Sequence, residues 1–143
     1  MHNNFLRSQY ESKKICIEAM NGESGVNEKE LFHGTSRWDP GILCKGNQGF
    51  DPRVSSDGFY GQGVYFAETA DYSHMYAHRS RSAQHAAAGS EVFQMILAKV
   101  ACGVSNDYGT QVDSETRSLR RPPKRDSQGQ HVCEGLCDGC MQV

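Results

Sequence analysis

The chain has 143 residues, enough to bury one hydrophobic core but short for two domains. With 15 Lys and Arg against 17 Asp and Glu its formal net charge is -2, which excludes a general pull toward nucleic acid or anionic lipid and leaves only local basic patches for such partners. No apolar run is long enough to span a bilayer, and Met1-His2-Asn3-Asn4 lacks the charged and apolar regions of a signal peptide, so an intracellular protein, nuclear or cytoplasmic, is expected.

Taken in chain order, Leu6, Tyr10, Ile17 and Met20 fall near one helical face, with Asn3 or Asn4 as cap and Asn21-Gly22 as stop, which predicts an amphipathic opening helix. Residues 24–29 read as a polar connector. Glu30-Leu31-Phe32-His33 then reads as a short strand ended by Gly34. Asp39-Pro40 supplies a cap and a first-turn proline for a brief helix through Ile42 and Leu43, stopped near Gly46. From Gly46 to Gly61 lies a long loop rich in Gly, Asp and Ser, of the kind that covers functional sites. Gly63-Val64-Tyr65-Phe66-Ala67 is the next strand, and Thr69 is placed to cap a helix running through about Arg79. On that helix Tyr72 and Tyr76 share a face, with Ser73 beside them.

Residues 80–90 read as another loop. The apolar run from Glu91 to Ala101 is bounded by Gly89 and Gly103; its periodicity fits strand or helix, and the bounding glycines and length favour a central strand. Beyond Gly103 the chain is polar and weakly patterned, with a basic run over 117–125. Short strands separated by helices and loops of irregular length point to an α+β domain with mainly antiparallel strands, spanning 1–143 as one unit. Gly58, Gly61 and Gly63 do not form the GxGxxG pattern of a dinucleotide-binding turn. Three of the six cysteines crowd the last eleven residues instead of spreading as a disulfide framework would, and reduced thiols are the simpler reading.

Two signatures carry the chemistry: Leu31-Phe32-His33-Gly34-Thr35 and Gly61-Gln62-Gly63-Val64-Tyr65-Phe66-Ala67. A histidine beside a glycine at a strand end, and a tyrosine on a second strand followed by a helix bearing more tyrosines, outline a cleft for a flat aromatic group. Together with Tyr72-Ser73-His74-Met75-Tyr76 and the late Pro122-Pro123, these strings resemble the catalytic domain of the poly(ADP-ribose) polymerase family, over nearly the whole chain and in the family's order. The helix bearing Tyr72-Ser73-His74 is similar to that of the family's mono-ADP-ribosyltransferase members.

That resemblance implies a split antiparallel β domain that clasps NAD as donor substrate, needs no metal, transfers ADP-ribose to a protein side chain and releases nicotinamide. Cleaving the ribose–nicotinamide bond passes through an oxocarbenium-like state, so the site must hold the leaving group rigidly and stabilise positive charge on the sugar. By the resemblance, His33 bonds a hydroxyl of the adenosine ribose and Thr35 faces the same ribose. The backbone of Gly34 reads the nicotinamide carboxamide, Ser73 bonds it, Tyr76 stacks on the ring and Tyr65 packs its other side. His33 and Tyr65 are the candidate catalytic residues; all six are candidate donor contacts. Tyr72 is a packing residue or a rim contact.

Taken alone, a histidine at a strand end is more often structural, and tyrosines at helical spacing more often belong to a core. The three motifs in sequence order outweigh that reading here. The family's third motif, a carboxylate or an aliphatic residue on a late strand, has no counterpart: Met141-Gln142-Val143 reads as the opening of the strand before it, so the domain is expected to lack its final strands. Neither Glu134 nor Asp138 sits in the right local context to take the catalytic role. Two other readings stand beside the transferase: an inactive NAD-binding or interaction module, and a zinc or nucleic-acid element in the tail built on His131, Cys133, Cys137 and Cys140. The simpler reading of the tail is three reduced cysteines in a loop, and of the basic run a solvated loop, so nucleic acid is not an expected partner of this domain.

Overall fold

The computed structural model describes residues 3–51, 57–58, 61–80, 91–106, 132–134, 136–137 and 140–142. Helix α1 spans Asn4–Asn21, and its cap is Asn3, whose side-chain oxygen accepts from Leu6 N at 3.1 Å. The same side chain donates to Gly46 O at 3.0 Å, so one asparagine both starts α1 and ties it to the end of the second helix. Gly22 ends α1 at φ 53°, a left-handed value that glycine accepts without cost. Leu6, Tyr10 and Met20 are half-buried and Ile17 fully buried, as the spacing predicts.

Strand β1, Glu28–Gly34, begins two residues earlier than its apolar core suggests, because it is zipped along its whole length to the long strand β6, Val92–Ala101. The pairing is antiparallel, from Glu28 opposite Ala101 to Gly34 opposite Met95. Charge fixes the outer end: Glu28 takes Lys14 Nζ at 2.6 Å and the Tyr10 hydroxyl at 2.9 Å on one oxygen, and Lys99 lies 3.6 Å from the other. These contacts, Lys14 first and Tyr10 second, hold the Glu28 carboxyl below the usual range, while burial and the Glu28 bond push the Tyr10 phenol up. Helix α1, β1 and β6 thus share one polar knot.

Helix α2, Pro40–Lys45, starts as the Asp39-Pro40 pair predicts, with Asp39 accepting from Gly41 N at 2.7 Å. The loop from Gly46 to Gly61 is not wholly irregular: β2, Asp57–Gly58, pairs antiparallel with β3, Gly61–Gln62. Strand β4 is only Tyr65–Phe66, shorter than the 63–67 of the sequence reading, and a bridge between Ala67 and Phe32 attaches it to the free edge of β1. Both bridge hydrogen bonds are 2.8 Å.

The helix after Thr69 differs most from expectation. It covers Ala70–His74 (α3) instead of continuing to about Arg79, and Thr69 precedes it without a side-chain cap bond. Tight bonds close its end, Tyr76 N to Ser73 O and Ala77 N to His74 O, both at 3.0 Å. His78–Ser80 then forms β5, antiparallel to β6, giving a three-stranded sheet in the order β1-β6-β5. Pairing with β6 satisfies the backbone of 78–80, and this non-local gain overrides a local helical pattern.

After Gly103 the chain is more regular than its polarity suggests. Strand β7, Val104–Asn106, lies parallel to β8, Val132–Glu134; β9, Leu136–Cys137, pairs with β10, Cys140–Gln142, and β10 runs antiparallel to β4 with Gln142 opposite Tyr65. The basic run, the 81–90 loop, Pro122-Pro123 and His131 lie outside the described residues. The core gathers Leu31, Val64, Phe66, Val100 and Cys102, with Phe50 and Ala98 packed against it. Helices and an antiparallel three-stranded sheet make this an α+β fold. Among the described residues no helix is long and apolar enough to cross a membrane.

Candidate active site

The two signatures meet at the end of β1. His33 is held by three neighbours. Its Nδ1 lies 2.7 Å from the Tyr65 carbonyl oxygen, and its ring packs 4.9 Å from Phe50 and 5.2 Å from Phe66, centroid to centroid. A carbonyl only accepts, so Nδ1 carries the proton and donates, which leaves Nε2 as the acceptor of a neutral imidazole. Burial drives the His33 pKa below its ordinary value, against the raising effect of the Tyr65 carbonyl, and so favours that neutral form.

Gly34 brings the segment from Tyr72 to Tyr76 into the same place. A Cβ built on it would lie 2.5 Å from Ser73 O, 2.6 Å from Tyr76 C and 2.7 Å from Tyr76 O. Only a residue without a side chain lets the end of β1 touch the backbone of α3 and its closing turn. Two residues back along β1, the Phe32 carbonyl accepts from Ser73 Oγ at 2.9 Å, fastening α3 to β1 a second time. The serine's single proton is spent there, and its lone pairs remain acceptors.

Tyr76 stands beyond the end of α3, with its ring 5.8 Å from that of Tyr72 and tilted by 45°. It is 46% exposed, in contrast to Ser73 at 4%, so the site combines a buried polar floor with an accessible aromatic ring. Thr35 is buried, and its hydroxyl donates to the Trp38 carbonyl while Trp38 N returns a bond to Thr35 O at 3.3 Å. The Thr35 hydroxyl therefore closes the turn that follows β1. Tyr65 donates its phenol proton to Gly61 O at 2.6 Å.

All six sequence-selected residues thus belong to one connected region: His33, Gly34 and Thr35 leave β1 in succession, Tyr65 touches His33, and Ser73 and Tyr76 touch Gly34 or its neighbour. Sequence reasoning missed Phe50 and Phe66, which fix the imidazole, and Gly58, whose Cα lies against the Tyr65 ring. Phe66 is inside the second motif and was legible as a packing residue; Phe50 and Gly58 carry no local signal. Among the described residues no group of three His, Cys, Asp or Glu side chains could hold a metal ion, and the side chains of the tail cysteines lie outside that description.

Comparison with known proteins agrees with the motifs. Mouse protein mono-ADP-ribosyltransferase PARP12 is 36% identical over 134 residues, covering 92% of this chain and 16% of that protein. Mouse mono-ADP-ribosyltransferase PARP11 is 30% identical over 142 residues, covering 90% of this chain and 39% of its own length. Human mono-ADP-ribosyltransferase PARP14 is 38% identical over 79 residues, covering 48% of this chain and 4% of its own. The chain spans well under half the length of these relatives. A family model for the poly(ADP-ribose) polymerase catalytic domain matches residues 2–132, and the chain belongs to that family.

Proposed function

We propose that this chain is the donor-binding part of an NAD-dependent protein mono-ADP-ribosyltransferase with the split-sheet fold of its family. The observation that carries the reading is the contact of Gly34 with the Ser73 and Tyr76 backbone, which joins the His33-Gly34-Thr35 signature to the tyrosine-bearing helix around one spot. In this reading nicotinamide lies against the exposed Tyr76 ring, its carboxamide directed to Gly34 and to the Ser73 oxygen. The neutral His33 accepts from a ribose hydroxyl of the adenosine half through Nε2. Rigid capture of both ends of NAD holds the scissile ribose–nicotinamide bond in a fixed geometry, which lowers the barrier by prepaid orientation. Nicotinamide leaves with the bonding electrons, and a nucleophilic side chain of a protein acceptor takes the ribose carbon. The mono form is supported by its similarity to the mono-ADP-ribosyltransferases PARP12 and PARP11.

Two measurements test this. Titration calorimetry with NAD should show one binding site, and incubation with NAD should add ADP-ribose mass to the chain or to an added acceptor protein with release of free nicotinamide. Binding without transfer would reassign the chain to a donor-binding module. No binding would end the proposal.

A further inference from the structure

Trp38 is the chain's one tryptophan, and it is 55% exposed. A large indole left half in water is uncommon, and here the backbone that carries it is fixed on both sides. The Thr35 hydroxyl donates to the Trp38 carbonyl, and Trp38 N donates to Thr35 O at 3.3 Å. The next residue, Asp39, caps α2 by accepting from Gly41 N at 2.7 Å. Among the described residues the indole itself makes no hydrogen bond and no ring contact. A held backbone thus presents an aromatic surface that this part of the fold does not use.

Its place beside the first signature gives that surface a ligand. Thr35 follows His33 by two residues, and a turn closed by a bond from the fourth residue back to the first keeps the Cα atoms of Thr35 and Trp38 within about 7 Å. The imidazole of His33 keeps Nε2 as an acceptor, which the donor-site reading assigns to a hydroxyl of the adenosine ribose. Adenine is one glycosidic bond from that ribose, so the base lies near the same end of β1. The other exposed aromatic rings among the described residues stand elsewhere: Tyr76 beside Tyr72, Phe93 against His74 and Phe5 on α1. Building on the donor-site reading above, we propose that Trp38 supplies the surface on which the adenine of NAD stacks, held in place by its turn with Thr35. An indole face stacks on a purine without reading its hydrogen-bonding edge, so the contact adds affinity for the adenosine half and none for the nicotinamide half.

Because the chain has one tryptophan, its emission, excited beyond the tyrosine band, reports the contact directly. Adding NAD or ADP-ribose to the parent chain should quench or shift that emission in step with binding followed by calorimetry, and nicotinamide alone should leave it unchanged. Trp38→Ala should weaken ADP-ribose binding about 5- to 150-fold, the weight of one base stacked on an aromatic ring, and Trp38→Phe should restore most of it. A merely structural role would not give that rescue together with an emission change set off by the adenosine half alone. The proposal is overturned if NAD binds with no change in emission, if Trp38→Ala binds ADP-ribose as the parent does, or if nicotinamide alone moves the emission as far as NAD. Absence of NAD binding in calorimetry would instead remove the donor-site reading, and this proposal with it. The emission titration uses the parent chain, so the test does not depend on folding of the alanine variant.

Discussion

Replacing Gly34 with alanine adds one methyl group whose Cβ would sit 2.5 Å from Ser73 O, where ordinary contact begins near 3.4 Å. The neighbours must retreat by the difference, about 0.9 Å, and all three nearest atoms are backbone, so no side-chain rotation can relieve the clash. Either β1 moves away from β6, to which it is paired along its length, or α3 and its closing turn move and carry Ser73 and Tyr76 with them. Overpacking of this kind costs about 1–3 kcal/mol, which for a domain of this size lowers Tm by roughly 3–10 °C. The functional cost should be larger than the stability cost. A shift near 1 Å in the groups that hold a substrate can reduce turnover about a hundredfold. Gly34→Ala is therefore expected to remain folded at 20 °C by circular dichroism, to show a modest fall in Tm, and to lose NAD affinity in calorimetry and ADP-ribose transfer in mass spectrometry by a disproportionate factor. Wild-type stability and wild-type NAD affinity together would refute the argument, because they would mean that β1 and α3 do not approach as described.

Ser73→Ala removes the bond to Phe32 O and the acceptor beside it, and should cost about 1 kcal/mol in denaturant unfolding and weaken NAD binding several-fold. Tyr76→Phe should bind NAD nearly as the parent does, whereas Tyr76→Ala should lose about 0.5–1.5 kcal/mol of binding, measured by the same titration. Because burial sets the folded His33 pKa below its unfolded value near 6.5, the unfolded chain binds more protons just under that pH; the contribution of neutral His33 to stability is full above about pH 6.5 and falls as pH drops toward the folded value. Thermal melts from about pH 8 to about pH 5 should show this decline, and His33→Gln should flatten that part of it. Nicotinic acid adenine dinucleotide, which carries a carboxylate in place of the carboxamide, should compete with NAD at least about tenfold more weakly in a displacement assay.

Local signals made much of this molecule readable. The Asn3 cap, the Gly22 stop and the Asp39-Pro40 start are short-range devices, and each appears where its residues place it. Strand β6 was readable because a ten-residue apolar run between glycines has few other uses in a small domain. The end of α3 was not readable, because the pattern Tyr72, Ser73, Tyr76 continues helical spacing while the backbone beyond it is claimed by β6, a segment distant in sequence. The same holds for β2 and β3, two-residue strands with no apolar run of their own, where the Gly61 carbonyl accepts from the phenol of Tyr65. In the site, residue identity was legible and hydrogen-bond partners were not. Nothing in Leu31-Phe32-His33-Gly34-Thr35 says that the Thr35 hydroxyl closes a turn onto Trp38, or that His33 gives its proton to a carbonyl on another strand.

Those partners decide what the site can recognise. His33 donates from Nδ1 to Tyr65 and Ser73 donates from Oγ to Phe32, so the fold consumes the proton of each polar side chain and leaves both as acceptors. An acceptor-only pair complements ligand groups that carry hydrogens: a ribose hydroxyl for the imidazole and a carboxamide NH2 for the serine. A carboxylate in the second position would set oxygen lone pairs against oxygen lone pairs, and a buried group left unpaired costs about 1–3 kcal/mol. Reversing either polarity needs a broken internal bond, since Ser73 can turn its proton toward a ligand only by abandoning Phe32 O, the contact that fastens α3 to β1. On the proposed donor-site reading, selection for the amide form of the dinucleotide follows from the same two hydrogen bonds that hold the motifs together, and a variant that relaxes one should loosen the other.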